Sequence, residues 1–135
     1  MSSDVNKSNW LVHKFGGTSV ADANCIRRVA DLLHAQAGRR QAVVVSAMGG
    51  MTNALLALIS SAEQAAEDVD SDVDAIRQRY TSTVHDLLTA DSARAALLEP
   101  FAGELSEVSD ILNAIALVRS AEQRSHDVVA GYGEI

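Results

Sequence analysis

Lys14-Phe15-Gly16-Gly17-Thr18-Ser19 is the stretch of this sequence with the clearest chemical content. It brings an ammonium group, two consecutive glycines and two hydroxyls together at the end of a short apolar run. Glycine lets backbone amides approach phosphate oxygens, amides at a helix start point toward an anion, and lysine supplies charge. A phosphorylated ligand is the chemistry these residues imply. The order differs from a Walker A loop, where lysine follows the glycines, and from GxGxxG. A glycine pair can also simply turn the chain after a strand, and on these residues alone both readings stand.

Two later segments extend the pattern. Val43-Val44-Val45-Ser46 runs into Ala47-Met48-Gly49-Gly50-Met51-Thr52-Asn53, a second double glycine followed by a threonine. The sequence closes on Gly131-Tyr132-Gly133-Glu134-Ile135. Ser46, Thr52 and Asn53 could bind a polar ligand or only cap a helix and line a loop, and Glu134 could be a ligand group or a surface carboxylate. His13, His34, His85 and His126 fit no triad and no metal-ligand spacing with Cys25, so no metal site is expected of the chain itself.

Positioning these residues requires strands that end at one edge. Residues 10–15 read as a strand with Leu11, His13 and Phe15 on one face and Val12 and Lys14 on the other. Asp22 is the expected N-cap of a helix carrying Ile26, Val29, Ala30 and Leu33, with Gly38 as its C-cap. Residues 41–46 form the next strand, whose three valines suit a strand covered on both faces. The result is a βαβ unit in which ligand-bearing loops sit at the carboxyl ends of parallel strands.

The rest reads as helical. Thr52 is the expected N-cap of a helix carrying Leu55, Leu58, Ile59, Ala62 and Ala66. Residues 67–74 are acidic and read as a solvated turn, with Ser71 or Asp72 capping a helix striped by Val73, Ile76, Tyr80, Val84 and Leu87. A further helix starts near Asp91, is interrupted at Pro100 and Gly103, and resumes over 104–118 with Leu105, Val108, Ile111, Leu112 and Ile115. Ser120-Ala121-Glu122-Gln123 has the form of a capping box, and Val128 and Val129 point to a buried stretch. Two strands are few for a sheet, which usually has about four to six. The expectation is the amino-terminal part of a larger α/β domain.

Composition narrows the classes. With 135 residues, 47% hydrophobic and 21% charged, the chain suits one soluble core, preceded by a flexible polar segment at residues 1–9. A net charge of -7 without basic clusters argues against a nucleic-acid partner. The apolar runs are too short for a membrane span. One cysteine, Cys25, allows no internal disulfide and is expected to pack as a small apolar residue in a reducing, cytoplasmic setting.

Taken in order, KFGGTSV at 14–20, VVVSAMGGMTNAL at 43–55 and VVAGYGE at 128–134 resemble the amino-terminal part of aspartokinases in the amino acid kinase superfamily. Within that family they look most like bifunctional aspartokinase/homoserine dehydrogenases. SAEQ at 120–123 departs from the threonine-proline helix start of many relatives, which touches a cap and not the chemistry.

The resemblance implies a three-layer α/β sandwich with a mainly parallel sheet, helix-rich here, with residues 10–135 as its amino-acid-binding part, truncated at the C-terminal end. It implies transfer of the γ-phosphoryl of MgATP to the side-chain carboxylate of L-aspartate, the first step toward lysine, threonine and methionine. Lys14, Phe15, Gly16, Gly17 and Thr18 would bind ATP phosphates, with Lys14 catalytic. Ser46, Thr52 and Glu134 would hold aspartate. ATP and Mg2+ are the implied cofactors, the ion being carried on the phosphates, and the full-length protein is expected to be a homo-oligomer. The 135 residues alone are expected to be inactive. Another amino acid kinase, with a glutamate or carbamoyl-type acceptor, and a non-catalytic helical interaction module are the alternatives.

Overall fold

The structure, a computed structural model, describes residues 9–64, 67 and 69–132. The chain divides into two compact units, Met1–Thr52 and Asn53–Ile135.

The first unit is built on two parallel strands. β1 (Leu11–Phe15) pairs with β2 (Gln41–Val45) in a register running from Leu11 opposite Gln41 to Phe15 opposite Val45. One backbone bond continues the pairing at each end, from Leu11 N–H to the Arg40 carbonyl at 2.8 Å and from Ser46 N–H to the Phe15 carbonyl at 3.0 Å. Exposure alternates along β1 as the sequence predicts, with Leu11, His13 and Phe15 half-buried and Val12 and Lys14 exposed. β2 departs from expectation, because Val43, Val44 and Val45 are 42%, 54% and 57% exposed. A run of valines encodes cover on both faces, and these residues do not receive it.

α1 (Ala23–Ala35) joins the strands. Asp22 caps it as expected, its Oδ1 accepting the Cys25 N–H at 2.8 Å. The other end differs from the sequence reading. The helix stops at Ala35, before Gly38, and its closing carbonyls are met by a side chain from the next strand. The Gln41 amide donates to the carbonyls of Leu33 and Gln36, at 3.1 Å each, while its Oε1 faces His13 Nε2 at 2.9 Å. A C-cap supplied across a turn replaces the glycine cap.

The turns at the strand ends also differ in detail. β1 runs into a 3-10 helix at Gly17–Val20, opened by Ser19 N–H bonding the Gly16 carbonyl at 3.0 Å, and α1 follows it. After β2 the chain reverses at Gly50, whose φ of 78° favours glycine, and enters α2 (Met51–Glu63). Thr52 therefore lies inside the first turn of α2 and is not its cap.

The second unit is helical, comprising most of α2 with α3 (Val69–Leu87) and α4 (Asp91–Tyr132). Its buried residues are the apolar positions of the helical stripes: Leu58 and Ala62 of α2, Val69, Val73, Ile76 and Val84 of α3, and Leu105 and Leu112 of α4. α3 begins at Val69, so Ser71 and Asp72 are not caps. Asp70 and Asp72 sit in its first turn, where carboxylates oppose the helix dipole favourably. The acidic stretch is thus largely a helix start. Ala66 lies outside the described residues. The α3–α4 corner is closed by Arg94, whose guanidinium donates to the carbonyls of Leu88 at 2.7 Å and His85 at 3.2 Å. A cation on the last carbonyls of α3 caps that helix.

α4 continues through Pro100, Gly103 and Ser120 without interruption. An interior proline removes one backbone bond and crowds the preceding turn, at about 3 kcal/mol. Tertiary contacts beside it oppose that cost. The Tyr80 and Phe101 rings stack at 3.8 Å between centroids and 17° between planes, and Leu105 is buried one turn on. Beyond Ser120 every described side chain is exposed, including Val128 at 59% and Val129 at 70%, so the expected buried stretch is not formed. A helix satisfies its own backbone, whereas an apolar strand there needs a neighbouring strand to bond. Among the described residues, no helix is long and apolar enough to cross a membrane.

Two outcomes follow for stability. A double-mutant cycle on Tyr80→Leu and Phe101→Leu, followed by urea unfolding, will give a coupling energy of about 0.5–1.5 kcal/mol from the stack. The Asp22 carboxyl titrates below the ordinary carboxylate range, chiefly because it accepts the Cys25 amide. Its contribution to α1 is therefore present above the unfolded pKa and is lost as pH falls through the depressed folded value. Asp22→Asn keeps a capping oxygen and will abolish that acid-side loss in a pH series of thermal melts.

Candidate functional site

The two glycine loops meet. A Cβ built on Gly17 would lie 3.2 Å from the Ala47 carbonyl oxygen, 3.3 Å from Gly49 Cα and 3.4 Å from Ser46 Oγ. One built on Gly49 would lie 3.0 Å from the Gly17 carbonyl oxygen and 3.2 Å from Ala21 Cβ. Most of these neighbours are backbone atoms, which cannot swing aside. Gly17 and Gly49 are thus needed so that the loop after β1 and the loop after β2 can touch.

Gly16 is different. Nothing lies within 4 Å of its Cβ position, and its φ of -78° is one that any residue adopts. Neither backbone strain nor packing among the described residues requires glycine there.

Around this contact the polar residues fall on one face. Gly16 and Ser46 follow directly on the paired Phe15 and Val45, so strand alternation carries Lys14 and Ser46 to the same side. That side also bears the exposed Val12 and Val44. Lys14 is exposed, and among the described residues its ammonium makes no hydrogen bond or ion pair. Ser46 is exposed, with its hydroxyl donating to the Ala47 carbonyl at 2.9 Å, which leaves the oxygen free to accept. Thr52 is exposed in the first turn of α2, whose unpaired amides favour an anion.

The opposite face carries Phe15, half-buried and stacked on His13 at 5.9 Å with 7° between planes. Behind the first loop, a cavity of about 260 Å³ is lined by Phe15, Thr18 and Ser19 on one side and Cys25 and Arg28 of α1 on the other. Cys25 is half-buried and accepts an N–H from Arg28 Nη2 at 3.6 Å, so it is not the plain apolar packer the sequence implied. Thr18 is exposed at the cavity mouth. Glu134 lies outside the described residues.

The structure therefore brings Lys14, Gly16, Gly17 and Ser46 to one strand edge. Sequence reasoning missed the pairing of Gly17 with Gly49 and the part of Gln41. The first joins residues 32 apart, and no local pattern announces it. The polar Gln41 opening an otherwise apolar strand was the only visible sign of the second.

Parallel strands, each ending in a glycine turn with a lysine at the edge, define an α/β protein with a helix-rich chain and a small parallel sheet. The family-level comparison agrees: the sequence profile of the amino acid kinase family matches residues 9–131. The chain belongs to the amino acid kinase family. It is 35% identical over 126 residues to bifunctional aspartokinase/homoserine dehydrogenase 2, chloroplastic, of Arabidopsis thaliana, covering 93% of this chain and 14% of that protein. Identity is 33% over 126 residues to the bifunctional aspartokinase/homoserine dehydrogenase, chloroplastic, of Daucus carota, with the same shares covered. It is 31% over 132 residues to aspartokinase 1, chloroplastic, of Arabidopsis thaliana, covering 95% of this chain and 22% of that protein. The chain thus spans about a seventh of the bifunctional relatives and under a quarter of the shorter one.

The division between the glycines can be tested by unfolding. Gly17→Ala and Gly49→Ala will each lower stability by about 1–3 kcal/mol, the usual cost of overpacking. Gly16→Ala, placed in open space at a permissive φ, will leave stability unchanged or raise it by up to about 1 kcal/mol.

Proposed function

We propose that this chain is the substrate-facing, amino-terminal part of an aspartate kinase, transferring the γ-phosphoryl of MgATP to the side-chain carboxylate of L-aspartate. The carrying observation is the unpaired Lys14 ammonium at the edge where two glycine loops touch, in a chain whose relatives are named as aspartokinases. In this reading the whole domain is a three-layer sandwich in which further strands extend the β1–β2 sheet and helical layers cover the exposed valines. The full-length protein is a homo-oligomer acting early in lysine and threonine synthesis.

The acceptor carboxylate is an anion at neutral pH, so it attacks phosphorus without a general base. The protein must hold donor and acceptor in line and neutralise the charge that spreads over the transferred oxygens. Lys14 supplies that charge, close to the open surface of Gly16, where the backbone of 15–18 can approach the ATP phosphates. MgATP enters as one substrate, with the ion carried on its phosphates. In this reading Ser46, on the same face as Lys14, and Thr52, at the positive end of α2, hold aspartate. Glu134 takes its α-ammonium.

In the full-length enzyme, Lys14→Ala will lower kcat by about 10²–10³-fold, the scale of losing one preorganised charge-stabilising group. Phosphoaspartate formation at near-normal turnover overturns the assignment. Glu134→Ala will mainly raise KM for aspartate, and an effect confined to ATP contradicts its role.

A further inference from the structure

The face of β1 turned away from Lys14 carries a chain of side-chain contacts running from Gln41 through His13 to Phe15, and the proposed chemistry uses neither Gln41 nor His13. Its first link is Gln41. The amide nitrogen donates to the Leu33 and Gln36 carbonyls at 3.1 Å each, which fixes which end of the amide is oxygen. That oxygen faces His13 Nε2 at 2.9 Å, so the imidazole must carry its hydrogen on Nε2. The His13 ring is then held in plane, and Phe15 lies on it at 5.9 Å with 7° between rings. Phe15 in turn forms one wall of the cavity whose other lining includes Thr18 and Ser19.

Residues 13 and 15 flank Lys14 in sequence. The backbone of Phe15 also accepts the Ser46 N–H at 3.0 Å, so one residue ties the ring stack to both sides of the site. The groups concerned are half-buried, and the links join β1, β2 and the end of α1. Ordinary strand pairing needs neither the Gln41 side-chain bonds nor the His13–Phe15 stack.

We propose that Gln41 and His13 are positioning residues for the phosphoryl-transfer site: they fix Phe15, and through it the direction in which Lys14 and the Gly16 backbone leave β1. The inference rests on the kinase reading above. A misplacement of about 1 Å in a transfer site costs up to about 10²-fold in rate, so loosening this chain acts on turnover even though neither Gln41 nor His13 touches substrate.

The test uses the full-length enzyme with ATP and L-aspartate, measuring kcat and both KM values on protein shown to be folded by circular dichroism. His13→Ala removes both links, and Gln41→Met removes the amide bonds at nearly equal volume. His13→Phe keeps a ring for Phe15 while losing the bond to Gln41. Expected is a fall in kcat of about tenfold or more for His13→Ala, a smaller fall for Gln41→Met, and recovery of most of the rate in His13→Phe, with KM for aspartate little changed. Unchanged kcat in folded His13→Ala and Gln41→Met, with only a lowered melting temperature, makes the chain a purely structural brace and overturns the inference. Equal losses in His13→Phe and His13→Ala overturn the stacking link. A full-length parent that forms no phosphoaspartate overturns the kinase reading itself, and the positioning role falls with it.

Discussion

The close approach of Gly17 to Gly49 is the constraint on which the first unit depends. Two parallel strands fix only the start of their loops, and the loops are free to splay unless something joins them. Here the join is largely backbone against backbone, with gaps in which an added Cβ would be tightly crowded. The contact spans 32 residues and coexists with α1 and with the register of β1 against β2. Strand register already brings Lys14 and Ser46 to one side, and the glycine contact holds the loops that follow them together.

This separates two roles that a sequence motif merges. Gly16-Gly17 reads as a single phosphate-binding feature, yet the two residues sit in different environments. Gly17 is enclosed by Ala47, Gly49 and Ser46, whereas Gly16 faces open space with an unexceptional backbone. Packing accounts for glycine at position 17 and places no demand on position 16. A motif can thus join residues under different constraints, one of them unrelated to chemistry.

What could be read from the sequence was whatever acts within about one helical turn or one pleat. The Asp22 cap, the alternation along β1 and the α3 stripe of Val73, Ile76 and Val84 are of this kind, and the structure has them as read. Signals failed where a distant group competed. Gly38 lies beyond the cap, which falls at Gln36, with the Gln41 side chain donating to the Leu33 and Gln36 carbonyls as well. Pro100 did not end α4, where the Tyr80–Phe101 stack holds the helix beside it. Val128 and Val129 carry an apolar signal that names burial without naming the partner, and among the described residues both are exposed on α4. Of the site, the lysine, the glycines and Ser46 were legible as residues; their common edge was not.

The exposed valines and the unpaired lysine belong to one argument. Val12, Val44 and Lys14 share a face, so any element that covers the valines also withdraws water from the ammonium. Burying an ammonium without a partner costs several kcal/mol after relaxation. Cover on this face therefore has to arrive with an anion or leave a channel for one. In a protein of net charge -7, no other cation of the β1–β2 sheet stands on that face to compete for it. An apolar floor with a single cation at its rim suits a ligand such as a polyphosphate, whose charge is concentrated at one end. It is an unfavourable surface to bury against another protein, which would have to place a carboxylate opposite Lys14 or pay for its desolvation.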